Sequence, residues 1–288
     1  ERVLPGLARY LLRQMQPDGS FVGERYFPSG NIKPAPAPVT GAGAAVVCFV
    51  RLYASTGRRG FLNAAEKAMD YLVETYFSSR SMDRLVQDAW LARALDEAFT
   101  YTRNTELVNQ LERLGLGVLA TQTLEPVLPD LLGGFDNHPS ATFAAQRTRV
   151  LCTAAGLMRD RDRPEAVTRL EHGVHLGVMF QQQARLEPLS LLYLPAGNRY
   201  RGAFRENCVR YRVTVDALAQ QISSLASVLR ILTPEADRLS LSERAKASLE
   251  EARGRAAEFP LLLAGEEGAA PARPAGSDRD IPGRAIPK

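Results

Sequence analysis

The sequence predicts an all-α protein made of repeated helical hairpins. Two observations carry this. Apolar positions in nearly every long segment follow the helical period, and no convincing β alternation is present. In addition, three helix-like stretches end on glutamine, pass through a variable loop, write Gly-x-Phe and resume an amphipathic pattern. The copies run from Gln14 to Gly19-Ser20-Phe21, from Gln122 to Gly133-Gly134-Phe135, and from Gln181-Gln182-Gln183 to Gly202-Ala203-Phe204. A unit that cannot bury its own apolar face must stack on copies of itself. Phe21 and Phe135 stand 114 residues apart, and Phe135 and Phe204 69 apart. The first interval therefore reads as two units of roughly 50–70 residues, each a helical hairpin with its loops.

A first helix covers residues 3–16 and stops at the turn signal Pro17-Asp18-Gly19. Residues 27–38 hold Pro28, Pro34, Pro36 and Pro38 and read as an extended loop. An Ala- and Val-rich helix follows at 40–55, broken by Thr56-Gly57. The helix at 61–77 carries Leu62, Ala65, Met69, Leu72 and Tyr76 on one stripe. Helices at 83–102 and 105–121 pair around Arg103-Asn104-Thr105. A third pair spans 140–158 and 164–182, with Pro164 in the first-turn position, where its missing N–H costs nothing. A helix from near Val213 shows an apolar seam of Leu218, Ile222, Leu225, Leu229 and Leu232, and a more polar helix runs from Ser242 to about 257. Residues 1–264 thus read as one domain of nine helices, one unpaired and then four hairpins. Residues 265–288, rich in Gly, Ala, Pro and charge, read as a disordered tail or linker.

The first helix of each pair is less charged than its follower, which carries Glu66 and Lys67, Glu112 and Arg113, or Arg169 and Glu171. An inner barrel of apolar helices within an outer ring of half-exposed ones produces this asymmetry, and so does a superhelical solenoid. The closed ring is the favoured expectation, because its inner helices are shielded on both faces. Four and a half hairpins can also leave that ring incomplete.

Composition excludes several function classes. Thirty-six basic residues against 32 acidic ones give a net charge of +4. The arginines are scattered and not interleaved with aromatics, so a nucleic-acid partner is not expected. No apolar run reaches the length of a membrane span. Three cysteines, Cys48, Cys152 and Cys208, form neither a disulfide framework nor a zinc spacing, and Cys48 and Cys152 read as small buried hydrophobes. The chain opens at Glu1 without a secretory apolar region, which leaves cytoplasmic and leader-processed extracytoplasmic locations both open.

Gln16-Pro17-Asp18-Gly19-Ser20-Phe21 resembles the glutamine–glycine–aromatic repeat of α/α-toroid proteins, including triterpene cyclases and protein prenyltransferase β subunits. Gly133-Gly134-Phe135-Asp136-Asn137-His138-Pro139 is similar to the Gly-Gly-Phe…Pro element of the prenyltransferase repeat. Thr56-Gly57 with Phe61-Leu62-Asn63-Ala64-Ala65 and Tyr71-Leu72 looks more like the hairpin link of six-hairpin carbohydrate enzymes and sugar epimerases. The resemblance covers residues 3–232 and implies an α/α toroid with a cavity at one end of the inner helices. The Asp-x-Asp-Asp cluster of the cyclases, the zinc ligands of the prenyltransferases and an Asp-rich diphosphate motif are not found. No metal or other cofactor is therefore expected; Asp160-Arg161-Asp162 reads as a solvated turn, and His172 with His175 lacks a third ligand.

In a toroid the Gly-x-Phe loops feed the cavity rim, where helix N-termini suit acidic or polyhydroxylated ligands. Asp136, Glu206 and Asp130 are the candidate catalytic carboxylates, since paired acids can act on a glycosidic bond. Glu24, Arg25, Tyr26, Asp88, Trp90, His138, Arg205 and Tyr211 are the candidate substrate-binding residues, with the aromatics as stacking faces. Each also has a structural reading: Asp136 as the cap of the helix starting near Ser140, His138 as an exposed loop imidazole, Glu206 as an ion pair with Arg205 or Arg210, and Trp90 as core. The expectation is a toroid that binds or processes a carbohydrate, with uronate- or amino-sugar-containing polymers as the candidate class. The alternative is a non-catalytic scaffold that binds a protein or glycan in a larger assembly. A terpene-cyclase or prenyltransferase relative is the third reading.

Overall fold

Side-chain caps open several of the helices in the computed structural model, which describes residues 3–23, 31, 39–81, 88–192 and 197–232. Helix α1 (Val3–Gln14) precedes α2 (Val39–Thr56) and α3 (Arg59–Tyr71), which runs on into a π-helical turn at Leu72–Phe77. Helix α4 (Ala89–Thr102) starts where the Asp88 carboxylate accepts from the N–H groups of Trp90 (2.9 Å) and Leu91 (3.0 Å), filling donors the helix cannot satisfy itself. Asn104 caps α5 (Thr105–Ala120) in the same way. Helix α6 (Ala141–Asp160) is capped by Ser140, whose hydroxyl accepts from Phe143 N–H. Asp136, expected in that role, lies four residues too early and faces a side chain of α6 instead. Helix α7 (Pro164–Gln183) opens on its proline, a short α8 (Pro188–Leu191) interrupts the following loop, and α9 (Val215–Leu232) ends the described part.

The all-α expectation holds: among the described residues there is no strand, only five isolated antiparallel bridges. The expected loop at 27–38 and the start of α4 at 83–87 fall almost wholly outside the described residues. The helix at 242–257 and the tail at 265–288 lie outside them altogether.

The helices form two layers. In the first, α2 packs on α4, α4 on α6 and α6 on α9; in the second, α3, α5 and α7 lie behind them. Helices packed on several sides need small side chains, and α4 and α6 bury Ala92, Ala94, Ala98, Ala144, Ala145, Ala154 and Ala155. Larger groups (Phe49, Phe77, Phe99, Phe135 and Phe180) fill the space between layers. Gly43 has no room for a side chain: a Cβ there would lie 2.9 Å from the backbone nitrogen of Leu91 on α4. The charged residues of the second layer stay exposed or half-exposed, as their sequence pattern predicts.

Helix α9 departs from its pattern. Its apolar seam is only partly its buried face: Ile222 (66%), Leu229 (66%) and Leu232 (71%) are exposed and Leu218 and Leu225 are half-buried against Ala141, Ala184 and Phe204, while Ala217, Gln221 and Ser224 are buried. The reason is close approach to α6, where Gln221 donates to the carbonyl of Ala141 at 2.7 Å and small residues admit the neighbouring backbone.

The Gly-x-Phe repeats form one local structure used three times. Antiparallel bridges join Met15 to Phe21, Gln122 to Phe135 and Arg185 to Phe204. In each, the residue after Phe donates its N–H to the carbonyl before the bridge (Val22 to Gln14, Asp136 to Thr121, Arg205 to Ala184). Gly19, Gly133 and Gly202 all adopt left-handed φ, at 92°, 79° and 79°. The glutamines are out of register. Gln122 occupies the bridge itself, Gln14 stands one residue before its bridge and Gln181 four before. Their amides nonetheless do related work: Gln122 donates to Gly133 and Gly173 carbonyls, and Gln181 to Gly177 and Thr148.

A Cβ at Gly133 would collide with the Leu176 carbonyl of α7, on top of the strain at φ 79°. Gly133→Ala is expected to lower unfolding stability by about 2–4 kcal/mol. Gly156→Ala, mid-helix with nothing within 4 Å, is expected to raise it by about 0.5–1 kcal/mol. Urea denaturation of both variants checks the contrast.

Candidate binding site

The packing of α2, α4, α6 and α9 side by side leaves a cleft of about 310 Å³ between one face of all four. That volume is at the small end of ligand pockets, which run to roughly 300–1,000 Å³. Its lining is polar despite the apolar character of the helices that build it. On α4, Arg93, Asp96, Glu97, Thr100 and Tyr101 recur at helical spacing along one wall. Arg51 comes from α2, Arg149 and Thr153 from α6, and Ser227 and Arg230 from α9. Four guanidinium groups thus face two carboxylates.

One of those carboxylates is fully engaged. Glu97 accepts from Arg51 through both oxygens, at 2.8 and 3.0 Å, and from Arg93 Nε on its own helix. The fork geometry of Arg51 ties α2 to α4 at the cleft wall. Hydrogen bonding to Glu97, with the Glu97 charge adding to it, raises the Arg51 guanidinium above its usual range against the opposing effect of burial. Arg149 is in the opposite situation. Burial, with the nearby Arg93 charge adding to it, pulls its guanidinium below the usual arginine range, and Asp88 offsets this only in part. Its NH1 donates to Gln220 of α9 at 3.1 Å, a neutral acceptor. The cleft hydroxyls of Thr100, Thr153 and Ser227 donate to carbonyls of their own helices and so present acceptor lone pairs outward. The wall therefore offers cationic donors and neutral acceptors, a set matched to an anionic ligand bearing hydroxyls.

The residues singled out from sequence lie mostly elsewhere. Asp130, Asp136, His138, Arg205, Glu206 and Tyr211 gather on two loops that meet where α6 begins, joined by Cys208 N–H to Pro139 O (2.9 Å) and Ala141 N–H to Glu206 O (3.1 Å). Asp136 contacts Arg147 NH1 at 2.8 Å. Arg147 is buried, stacks 3.5 Å above the Phe143 ring, and has no hydrogen-bond acceptor for Nε among the described residues. Desolvation lowers its guanidinium and Asp136 opposes that shift. Glu206 lies 3.7 Å from Arg212, rather than pairing with Arg205 or Arg210 as its structural reading had it. Arg205 donates to the Gln183 carbonyl and stacks over Tyr211. His138 is exposed, its Nδ1 accepting from Ser140 N–H. Asp130 is exposed in a 3-10 turn.

Asp88 comes nearest to the cleft, as the cap of α4 and a charge felt by Arg149. Trp90, a substrate-binding candidate with a core position as its structural reading, is 42% exposed on α4. Glu24, Arg25 and Tyr26 lie outside the described residues. Sequence reasoning missed Arg51, Arg93, Asp96, Glu97, Arg149, Arg230 and Arg147. The polar stripe of α4 was the available signal. Among the described residues no group of three or more His, Cys, Asp and Glu is placed to hold a metal ion, and no helix is long and apolar enough to cross a membrane.

Protein-family models, curated proteins and solved structures give no match to this chain.

Two outcomes test the electrostatics. Asp136→Asn strips the buried Arg147 of its counter-charge and is expected to lose about 1–2 kcal/mol of stability, Asp136 being half exposed; Arg147→Met is expected to lose less. Thermal melts compare the two. Cys152, buried beside the cleft, has its thiol pushed up to about 12 by burial, whereas Cys48, read as buried, is only half-buried. A folded-state value raised above the ordinary 9.0 means stability is complete below pH 9 and falls as pH rises from 9 to 12. Denaturation at pH 8 and 10.5 should show a smaller loss in Cys152→Ala than in the parent. Cys152 should also resist alkylation at pH 8 until the protein unfolds.

Proposed function

We propose that this chain binds an acidic carbohydrate, a uronate-bearing sugar or the end of such a polymer, on an α/α-toroid scaffold whose inner helices are α2, α4, α6 and α9. The supporting observation is the cleft between those helices, with four guanidinium groups, two carboxylates and outward-facing hydroxyl lone pairs. The planar guanidinium fork matches a carboxylate in two parallel hydrogen bonds, and hydroxyl acceptors suit the ring hydroxyls of a sugar. An excess of positive charge favours a uronate over a cationic amino sugar. A polar wall of this kind does not suit an isoprenoid chain, which weighs against the cyclase and prenyltransferase reading.

Binding is better supported than turnover. The oxygens of Glu97 are occupied by Arg51 and Arg93, and Asp136 is engaged by Arg147. These contacts favour a second reading, a non-catalytic scaffold that holds a glycan or protein in a larger assembly. Processing through Asp136, Glu206 and Asp130 remains the catalytic form of the proposal, with substrate reaching the loops where α6 begins.

Calorimetric titration with uronic-acid oligosaccharides and their carboxyl-reduced analogues tests the reading. The acidic sugars are expected to bind and the reduced ones to bind at least about tenfold more weakly, as fits the loss of a charge-assisted hydrogen bond. Arg149→Gln and Arg93→Gln are each expected to weaken the acidic sugar by a similar factor. Equal binding of reduced and acidic sugars, or unchanged binding in both variants, refutes the assignment.

A further inference from the structure

The loops at the start of α6 hold a second feature that the cleft does not use. Large apolar side chains are exposed there, Val127 at 91% and Val209 at 74%, with Leu124, Leu128 and Tyr211 also more than half exposed, and Leu189 (79%) stands on α8 beside residues 197–200. Exposed apolar patches of this kind mark interaction surfaces in stable proteins. The two loops carry opposite charge. Residues 121–140 contain Glu125, Asp130 and Asp136 and neither Lys nor Arg. Residues 197–214 contain Arg199, Arg201, Arg205, Arg210 and Arg212 against the single acid Glu206. Some of these charges are matched within the chain, Asp136 by Arg147 and Glu206 by Arg212. Glu125, Asp130, Arg199, Arg201 and Arg210 have no ion pair among the described residues.

We infer that this surface is the interface of a homodimer, in which the acidic 121–140 loop of one copy lies on the basic 197–214 loop of its partner. Backbone hydrogen bonds hold the two loops side by side where α6 begins. A twofold axis between them therefore brings each acidic loop against a basic one, twice over, and buries both sets of aliphatic side chains together. An isologous contact requires this kind of self-complementarity, because each patch must match itself after rotation. Loops of this length are commensurate with the ~20–30 residues a side that stable interfaces take. An anionic lipid surface would attract the basic loop and repel Glu125 and Asp130, so a second copy satisfies the surface better.

Light scattering and sedimentation of the full chain across about 1–100 µM provide the test. The parent is expected to be a dimer. Glu125→Arg with Asp130→Arg, and separately Arg199→Glu with Arg210→Glu, are each expected to weaken self-association at least tenfold. Mixing the two variants is expected to restore a dimer, since the reversed charges again oppose one another. That rescue also shows that both variants are folded. A parent monomeric throughout the range overturns the inference. So does failure of the mixture to associate, or association with anionic vesicles by a protein that stays monomeric without them. The cleft and its arginines take no part, so this result is independent of sugar binding.

Discussion

Close approach of neighbouring helices is the constraint on which the rest of this molecule depends. Where α2 meets α4, Gly43 rests against the backbone of Leu91 without space for a methyl group. Where α5 meets α6, Gly115 is pressed onto the side chain of Ala154 in the same way. The run of buried alanines along α4 and α6 follows from this, since longer side chains would hold the axes apart. So does the orientation of α9, which turns Ala217, Gln221 and Ser224 toward α6 and leaves Ile222, Leu229 and Leu232 outside.

The cleft is a product of the same constraint. Four helices packed shoulder to shoulder bury their flanks and their backs against α3, α5 and α7, and each retains one free face. On α4 that face is polar at helical spacing, and the Arg51–Glu97 fork joins it to α2. Burial then acts on the charges placed there. Arg149 is held among helices with a neutral hydrogen-bond partner and a like charge nearby, which destabilises its cationic form and favours an arriving anion. Arg147, two residues earlier on α6, meets burial differently, with Asp136 as counter-charge and the Phe143 ring beneath it. The first residue is suited to a ligand and the second to holding the loop that precedes α6.

The mini-hairpins built on Gly-x-Phe give the two layers their common connection. A left-handed glycine, a single bridge and a buried phenylalanine recur in one hydrogen-bond register, although the loops between differ in length. Gly19 and Gly133 also receive the backbone of the next second-layer helix, at Lys67 and Leu176. The motif thus fixes both the reversal of the chain and the seat of its neighbour.

The sequence by itself determined the all-helical class, most helix boundaries to within a few residues, the pairing of the three hairpins that lie within the described residues, and the glycine and phenylalanine positions of the repeat. These are local properties: apolar period, proline and glycine punctuation, and caps such as Asp88, Asn104 and Ser140 act within a turn or two of the chain. The register of the glutamines was misleading, because an amide side chain reaches its carbonyl from more than one position. Only the tertiary structure decided which face of α9 is buried, that Arg51 on a mostly apolar helix finds Glu97, and that Arg93 and Arg149 share one cleft. Those outcomes depend on how close two backbones come and which stripes then face each other, and residues far apart in the chain do not carry that distance in their own pattern.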